Sequence, residues 1–223
     1  MIAHLLLSLR VGALAVLISL PLGTACAWLI ERSRLPRRDL LQTLVMLPLV
    51  LPPAVTGILL LWVFSPRHAL GAFLAALGLP VAFSFLGAVV AAAVVGFPLL
   101  VMNIGLAFKS IDPRMEMISR SLGRSPWQTF WRITIPLAYP GILAGVVLAF
   151  ARGLGEFGAT IVLAGRIPGE TDTLSLAVYS YLDGPGNENN IITLTVLSVI
   201  LGLGAVVVSR ALDRAFHRKL EMP

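Results

Sequence analysis

Charged side chains, cysteines and catalytic motifs are all scarce in this chain. Charged residues make up 13% of its 223 residues, against about 25% in soluble domains. The lone cysteine, Cys26, excludes an intrachain disulfide and argues against a cysteine-based metal site. The histidines are far apart in the sequence, so we expect no metal site and no cofactor. The Gly-x4-Gly-Lys-Ser/Thr pattern of P-loop ATPases is absent, which predicts that the chain itself is not an ATPase.

Apolar residues dominate instead, at 57% of the chain, with a mean hydropathy of +0.91. The formal net charge is +6, but the charges lie in short stretches between long apolar runs. That arrangement is typical of membrane proteins and not of proteins that bind nucleic acid. The sequence therefore predicts an all-α fold, a polytopic membrane helix bundle that forms a single domain over residues 1–223.

About five apolar runs are long enough to cross a bilayer, which takes about 20 residues of helix. The second run contains several prolines, which should kink or locally open the helix. A further apolar stretch, Ala69–Leu79, is too short to span and is predicted to be an interfacial or re-entrant helix. The predicted spans are 11–30, 40–64, 86–108, 135–163 and 191–209.

Basic residues predict which side of the membrane each loop faces. Thirteen of the 17 lysines and arginines lie in the segments 31–39, 109–132 and 210–223. Cytoplasmic loops of membrane proteins carry an excess of lysine and arginine, which is the positive-inside rule. It places the N-terminus outside and the C-terminus in the cytoplasm. The same cations can contact the headgroups of membrane lipids.

The polar stretch 112–134 is predicted to be a cytoplasmic elbow made of two short helices. Asp112 and Pro113 look like an N-cap and a first helical residue. Gly123 should end that helix, and Ser125 should cap the next one. Two interpretations remain open. The elbow presents a short helix to a cytoplasmic partner, or it is a basic loop held to lipid headgroups by arginine and tryptophan.

Arg152 and Glu156 are the charged residues inside a predicted span. A charge near the bilayer centre costs at least about 2.5–3.5 kcal/mol on insertion scales. Their i, i+4 spacing places them on one helical face, where they can neutralise each other. They form either a site on the translocation pathway or a structural ion pair. A neutralised arginine is a poor anion site, which favours the structural interpretation.

The elbow resembles the cytoplasmic loop of ABC-importer permeases. Gly123 matches the glycine of that loop, and the segment Ile133–Pro136 matches its Ile-x-Leu-Pro ending, with isoleucine for leucine. The front half departs from the pattern, because Glu116 is one residue further from the glycine and Ile118 and Ser119 replace alanines. The resemblance implies a coupling helix that docks on a separate ATPase subunit. It implies that the docking contacts are Glu116, Ser119, Arg120 and Gly123.

Further segments are similar to the molybdate-importer permeases in particular: Leu47–Pro53, Ala149–Thr160 and Ile167–Thr171. The resemblance implies a type I ABC importer permease that forms a homodimer in the bacterial inner membrane. Its implied partners are a cytoplasmic ATP-binding subunit and a periplasmic oxyanion-binding protein, and its implied substrate is molybdate, with tungstate as a related anion. Sulfate permeases look similar over the same region, so a sulfate or thiosulfate importer is the alternative. A secondary anion transporter would need an ion-coupling site of its own.

Overall fold

The computed structural model describes residues 2–32, 38–182 and 188–220, with side chains described up to residue 211. Parts of the predicted basic loop, outer loop and tail lie outside these residues. Throughout the described ranges the regular structure is helical, which confirms the all-α prediction. The helices are α1 (Ile2–Arg32), α2 (Arg38–Val50), α3 (Pro53–Phe64), α4 (Ala69–Ala76), α5 (Phe85–Ser110), α6 (Pro113–Ser121), α7 (Pro126–Thr129), a π-helical turn (Phe130–Thr134), α8 (Ile135–Leu154), α9 (Gly158–Leu163), α10 (Leu174–Leu182) and α11 (Glu188–Leu220).

Within the described residues, four helical runs are long and apolar enough to cross a membrane. They include α1, α5, the run from α7 through α8, and α11. The pair α2 and α3 passes the same test together but is bent by 115°. The bend follows from Pro52 and Pro53, which lack a backbone N–H and cannot continue the helix. With this pair counted as one broken span the number is five, as predicted.

The core of the bundle is formed by α1, α5 and α8. Leu100, Ile104 and Phe108 of α5 are fully buried against the neighbouring helices. Small residues let the backbones approach closely, as is usual in membrane bundles. A methyl group added to Gly96 of α5 would lie 2.9 Å from the carbonyl oxygen of Ala149 in α8. The C-terminal ends of α1 and α5 both lie beside the π-helical turn that precedes α8.

Three predicted spans differ from the observed helices in their ends. The last, predicted as 191–209, lies within α11, which runs from Glu188 to Leu220. The first begins at Ile2 and not near residue 11, because Arg10 stays exposed at the surface of a continuous helix. The fourth, predicted as 135–163, ends at Leu154 and is followed by the separate short helix α9. The sequence is apolar on both sides of this break. Its cause is a glycine cap at Gly155 and the buried carboxylate of Glu156, which a hydrophobicity pattern does not reveal.

The stretch predicted to be interfacial or re-entrant forms α4, which ends at Ala76 and packs against α3. The ring of His68, just before α4, lies 4.7 Å from the ring of Trp62, centroid to centroid. With its eight residues α4 is too short to cross a bilayer.

Candidate functional site: the elbow and the ion pair at the far end of α8

The first helix of the elbow, α6, has the ends that its sequence predicts. The carboxylate of Asp112 accepts a hydrogen bond of 2.9 Å from the backbone N–H of Arg114. At the other end Gly123 has a φ of +82°, a conformation that favours glycine. The N–H of Gly123 bonds to the carbonyl of Arg120, and the next N–H bonds to the carbonyl of Ser119. This pair of bonds is a Schellman motif, so α6 has a fixed length.

The second helix, α7, begins with a capping box. The hydroxyl of Ser125 accepts from the N–H of Gln128 at 3.2 Å, and the Gln128 side chain accepts from the N–H of Ser125 at 3.1 Å. A single π-helical turn then joins α7 to α8, closed by a bond from the N–H of Ile135 to the carbonyl of Phe130. The helical backbone is therefore continuous from α7 into α8.

Polar side chains bind the inner face of α6 to the segment that follows it. The hydroxyls of Ser119 and Thr129 lie 3.1 Å apart and are both buried. Glu116 lies one turn before Ser119 in α6, and its Oε1 accepts a hydrogen bond of 2.9 Å from the hydroxyl of Thr134. These contacts hold α6, α7 and the π-helical turn together as one compact body.

An aromatic cluster attaches this body to the bundle. The ring centroid of Phe130 lies 6.3 Å from that of Phe108 in α5 and 6.4 Å from that of Trp28 in α1. On its other side Phe130 stacks on Trp127 at 6.1 Å. Phe130 is therefore the apolar anchor of the elbow, and α1 and α5 both contact it.

The outer face of the elbow is apolar and exposed. Leu122 is 75% exposed and Trp127 is 68% exposed, although both lie on a polar segment. Leu122 and the exposed apolar residues of α6 precede the apolar run that begins at Pro126, whereas Trp127 and Trp131 lie at its start. Exposed apolar side chains outside a span are typical of a protein-binding surface. The exposed apolar residues of the elbow are Met115, Met117, Ile118, Leu122, Trp127 and Trp131.

The structure separates the docking contacts that the resemblance implies. Arg120 and Gly123 are exposed. Ser119 is 4% exposed, and the side chain of Glu116 is 16% exposed. Both point toward the bundle and are engaged there by Thr129 and by Thr134, respectively. Their visible contacts are internal to the chain.

Arg32, the last residue of α1, was not among the predicted site residues. One guanidinium nitrogen, Nη2, donates to the carbonyl of Phe108 at 2.7 Å and to that of Ile111 at 3.1 Å. The same nitrogen lies 3.6 Å from Glu116 Oε1. In the sequence Arg32 is one cation of a basic loop next to a span. Its position there indicates which side of the membrane the loop faces, and it does not indicate the contact with Glu116.

At the far end of α8, the predicted pair of Arg152 and Glu156 is formed. Arg152 Nη1 donates to Glu156 Oε2 at 2.8 Å. The other carboxylate oxygen accepts from the backbone N–H of Ala159 at 2.7 Å, which caps the start of α9. The Glu156 side chain is 2% exposed and that of Arg152 is 32% exposed. Both oxygens of Glu156 are thus used to join α8 to α9, which favours the structural interpretation.

The segment after α9 is tied to the start of α1. Arg166 Nε donates to Asp172 Oδ1 at 3.0 Å, and the N–H of Leu174 donates to the hydroxyl of Ser8 at 2.7 Å. The ring of His4 is hydrogen-bonded to the backbone carbonyl of Asp172 at 2.9 Å. The predicted motif over 167–171 therefore lies in a folded loop that is fixed to α1.

Comparisons with known proteins agree with this geometry. Residues 19–222 match the model of the family described as "Binding-protein-dependent transport system inner membrane component". The chain is 47% identical to the molybdenum transport system permease protein ModB of Escherichia coli (strain K12), over 94% of this chain and 92% of the relative. It is 38% identical to the sulfate transport system permease protein CysT of the same organism, over 70% of this chain and 57% of the relative.

A solved structure confirms the fold. The chain superposes on the MetNI methionine ABC transporter, solved in inward-facing conformations, with a TM-score of 0.67 and 19% identity, covering 97% of this chain and 92% of that chain. The likeness covers nearly the whole of both chains and bears on the fold alone. This chain belongs to the family of binding-protein-dependent transport system inner membrane components.

Proposed function

We propose that this chain is the membrane-spanning permease subunit of an ATP-driven importer for molybdate. The observation that carries the proposal is the 47% identity to a molybdenum transport permease over nearly the full length of both chains. The sulfate permease is more distant and aligns over a smaller part of each chain. Tungstate has the same shape and charge as molybdate and is the expected competitor.

The elbow is the docking site for a separate ATP-binding subunit. The sequence contains no P-loop of its own, so ATP hydrolysis has to occur on another chain. The exposed residues Leu122 and Trp127 supply an apolar contact, and Arg120 and Gly123 are exposed as well. Because Glu116 and Ser119 point inward, their part in docking is to hold α6 in shape.

The permease acts as a homodimer. With up to five spans among the residues that the structure describes, one copy has too few helices to enclose a path for a solute. Closed two-fold dimers are the commonest oligomers. Large apolar side chains of α2 and α3, including Leu47, Val50, Ile58 and Trp62, are exposed on a single copy. A second copy covers part of this surface, and lipid covers the rest.

The N-terminus lies outside and the elbow lies in the cytoplasm, as the distribution of basic residues indicates. A periplasmic binding protein delivers the oxyanion to the outer side. ATP binding closes the two ATP-binding subunits, moves the elbows and changes the accessibility of the path between the two copies. The chain supplies helices and gates, and it makes or breaks no covalent bond.

Uptake of labelled anions tests the proposal. In bacterial cells that lack this subunit, expression of the chain should restore uptake of labelled molybdate, and excess unlabelled tungstate should compete. Excess sulfate should not. If the chain restores uptake of labelled sulfate and leaves molybdate uptake at background, the sulfate alternative is correct and the proposal fails.

A further inference from the structure

The joint between α5 and α6 is held by a residue from a distant part of the chain. The last carbonyl groups of a helix have no partner within the helix. At the end of α5, the carbonyls of Phe108 and Ile111 both accept from Nη2 of Arg32. A cation at this position also interacts favourably with the negative end of the helix dipole. Arg32 therefore fixes the geometry of the short link, Ile111 and Asp112, through which α5 continues into α6.

The same arginine contacts α6 itself. Its Nη2 lies 3.6 Å from Glu116 Oε1, and that oxygen also accepts from Thr134 at 2.9 Å. Both charged side chains are 16% exposed, so water screens them little. One guanidinium nitrogen and one carboxylate oxygen thus meet at a point shared by α1, α5, α6 and the π-helical turn.

The elements around this point differ in how they are connected to the elbow. The π-helical turn runs directly into α8, and α5 is linked to α6 by the backbone of Ile111 and Asp112. Helix α1 is separated from α6 in the sequence by α2 to α5. The contact between Arg32 and Glu116 is therefore a side-chain connection from α6 to a helix that the backbone does not place next to it.

We propose that Arg32 is a positioning residue that transmits the movement of the elbow to α1 and α5. This inference rests on the proposed function, because it assumes that an ATP-binding subunit moves the elbow. Movement of α6 carries Glu116 with it, and Glu116 draws Arg32, which is bonded to the end of α5 and covalently part of α1. The three helices then move together with α8. Without Arg32 the elbow still docks and still moves α8, but α1 follows less closely.

Arginine suits this position better than lysine. All three contacts are made by Nη2, which a planar, rigid guanidinium holds in a fixed position. The ammonium of lysine is a compact charge on a flexible stem, so Arg32→Lys should keep the charge and lose part of the fixed geometry. Arg32→Lys is the conservative variant of the series.

The test measures how much anion is transported for each ATP hydrolysed. The complete complex, with its ATP-binding subunit, is reconstituted in liposomes with its binding protein and supplied in parallel with labelled molybdate and labelled sulfate. We expect Arg32→Ala to retain the ATP-binding subunit and to hydrolyse ATP within about twofold of the wild type. The ratio of transport to hydrolysis should fall about 2- to 30-fold, the range found for residues that couple distant sites. Arg32→Lys should lie between the two.

A matched control and a double variant make the result specific. Arg38→Ala removes the same charge from the same side, and its contact with Asp39 is largely exposed, at 61% and 93% for the two side chains. This control should leave the ratio unchanged. Glu116→Gln should lower the ratio, and Arg32→Ala combined with Glu116→Gln should be no worse than Arg32→Ala alone, because both remove one contact.

Several results would overturn the inference. One is a wild-type ratio in Arg32→Ala, and another is additive losses in the double variant. A third is loss of the ATP-binding subunit in proportion to the loss of transport, which would make Arg32 part of the docking structure. If Arg32→Ala does not assemble, the test rests on Arg32→Lys and Glu116→Gln. A wild-type ratio of transport to hydrolysis in both of these variants rejects the inference. The wild-type complex identifies the anion that is carried, so failure of the molybdate assignment is seen separately.

Discussion

Glu116, beside the start of α8, and Glu156, just past its end, are each paired with an arginine, but the two pairs are built differently. We call them the inner and the outer pair, after the side of the membrane proposed for each. Glu156 pairs with Arg152 four residues away and is nearly completely buried, at 2% exposure of its side chain. Glu116 pairs with Arg32 from another helix at the longer distance of 3.6 Å. The outer pair closes a local break between α8 and α9. The inner pair connects elements that are far apart in the sequence.

The surroundings of the two pairs also differ, in how far they are closed by contacts within the chain. Both carboxylate oxygens of Glu156 are hydrogen-bonded within the chain, and the following loop is fixed to α1 through Ser8 and His4. Around Glu116 the elbow turns an exposed apolar face outward, at Leu122 and Trp127. The outer end is thus closed by contacts within the chain, whereas the inner end leaves apolar side chains exposed, as the proposed docking of an ATP-binding subunit requires. Substitutions at the two ends should therefore affect different measurements.

The largest expected effect is on stability, at the outer pair. Glu156→Ala removes the partner of Arg152 and the cap of α9, and breaking a buried pair costs about 3 kcal/mol. Glu156→Gln should cost less, because the amide oxygen can still accept from the N–H of Ala159. Thermal unfolding of the purified permease in detergent measures the difference. Glu188→Ala, at an exposed position, is the control and should be nearly neutral. Equal melting of Glu156→Ala and the wild type would contradict a structural role.

The next effect is on docking, at the inner end. Leu122→Asp places a charge in the exposed apolar face, and loss of a central interface residue costs about 2 kcal/mol or more. The affinity for the ATP-binding subunit should fall about 30-fold or more, as measured by titration in detergent, while the melting temperature stays unchanged. Ser121→Asp adds the same charge at the neighbouring exposed residue and should have a smaller effect. A similar loss in both variants would indicate general repulsion and not an apolar contact.

A smaller effect is expected at the end of α6. Gly123 has a φ of +82° and no atom within 4 Å of the site where a Cβ would lie. Gly123→Ala should therefore cost about 1–2 kcal/mol through backbone strain alone. The cost should appear as faster amide hydrogen exchange in the last turn of α6. Gly202→Ala, which also has open space around it but an ordinary helical φ, should slow exchange or leave it unchanged. Unchanged exchange in Gly123→Ala would mean that the elbow has no fixed end.

The smallest effect is expected at the cap of α7. Ser125→Ala removes one half of the capping box and should destabilise the helix by about 1 kcal/mol. Hydrogen exchange of residues 126–129 should become faster, and transport should fall only slightly. Ser121→Ala removes a hydroxyl that bonds to the carbonyl of Ile118 within α6 and does not cap a helix start. If both variants exchange alike, the capping box does not stabilise α7.

The features that the sequence predicts well are local ones. Asp112, Gly123 and Ser125 act within three or four residues of their own positions, so their caps are visible as short patterns. The pair of Arg152 and Glu156 is visible for the same reason. The apolar runs predict about five spans because span length depends on composition alone.

The features that the sequence does not predict depend on tertiary contacts. The contact between Arg32 and Glu116 joins distant segments, and no spacing rule relates them. The inward direction of Glu116 and Ser119 depends on Thr134 and Thr129, which the amphipathic pattern of so short a helix does not single out. The break before α9 is hidden because apolar residues continue on both sides of Glu156.

The central claim is that the elbow lies in the cytoplasm, where an ATP-binding subunit can contact it. The most direct measurement is labelling of single cysteines with a membrane-impermeant maleimide, in a chain with Cys26→Ser. Ser121→Cys places the probe on the exposed face of α6, and Pro168→Cys places it in the exposed loop after α9. In intact cells Pro168→Cys should be labelled and Ser121→Cys should not, until the membrane is permeabilised. Labelling of Ser121→Cys in intact cells, with Pro168→Cys protected, would contradict it.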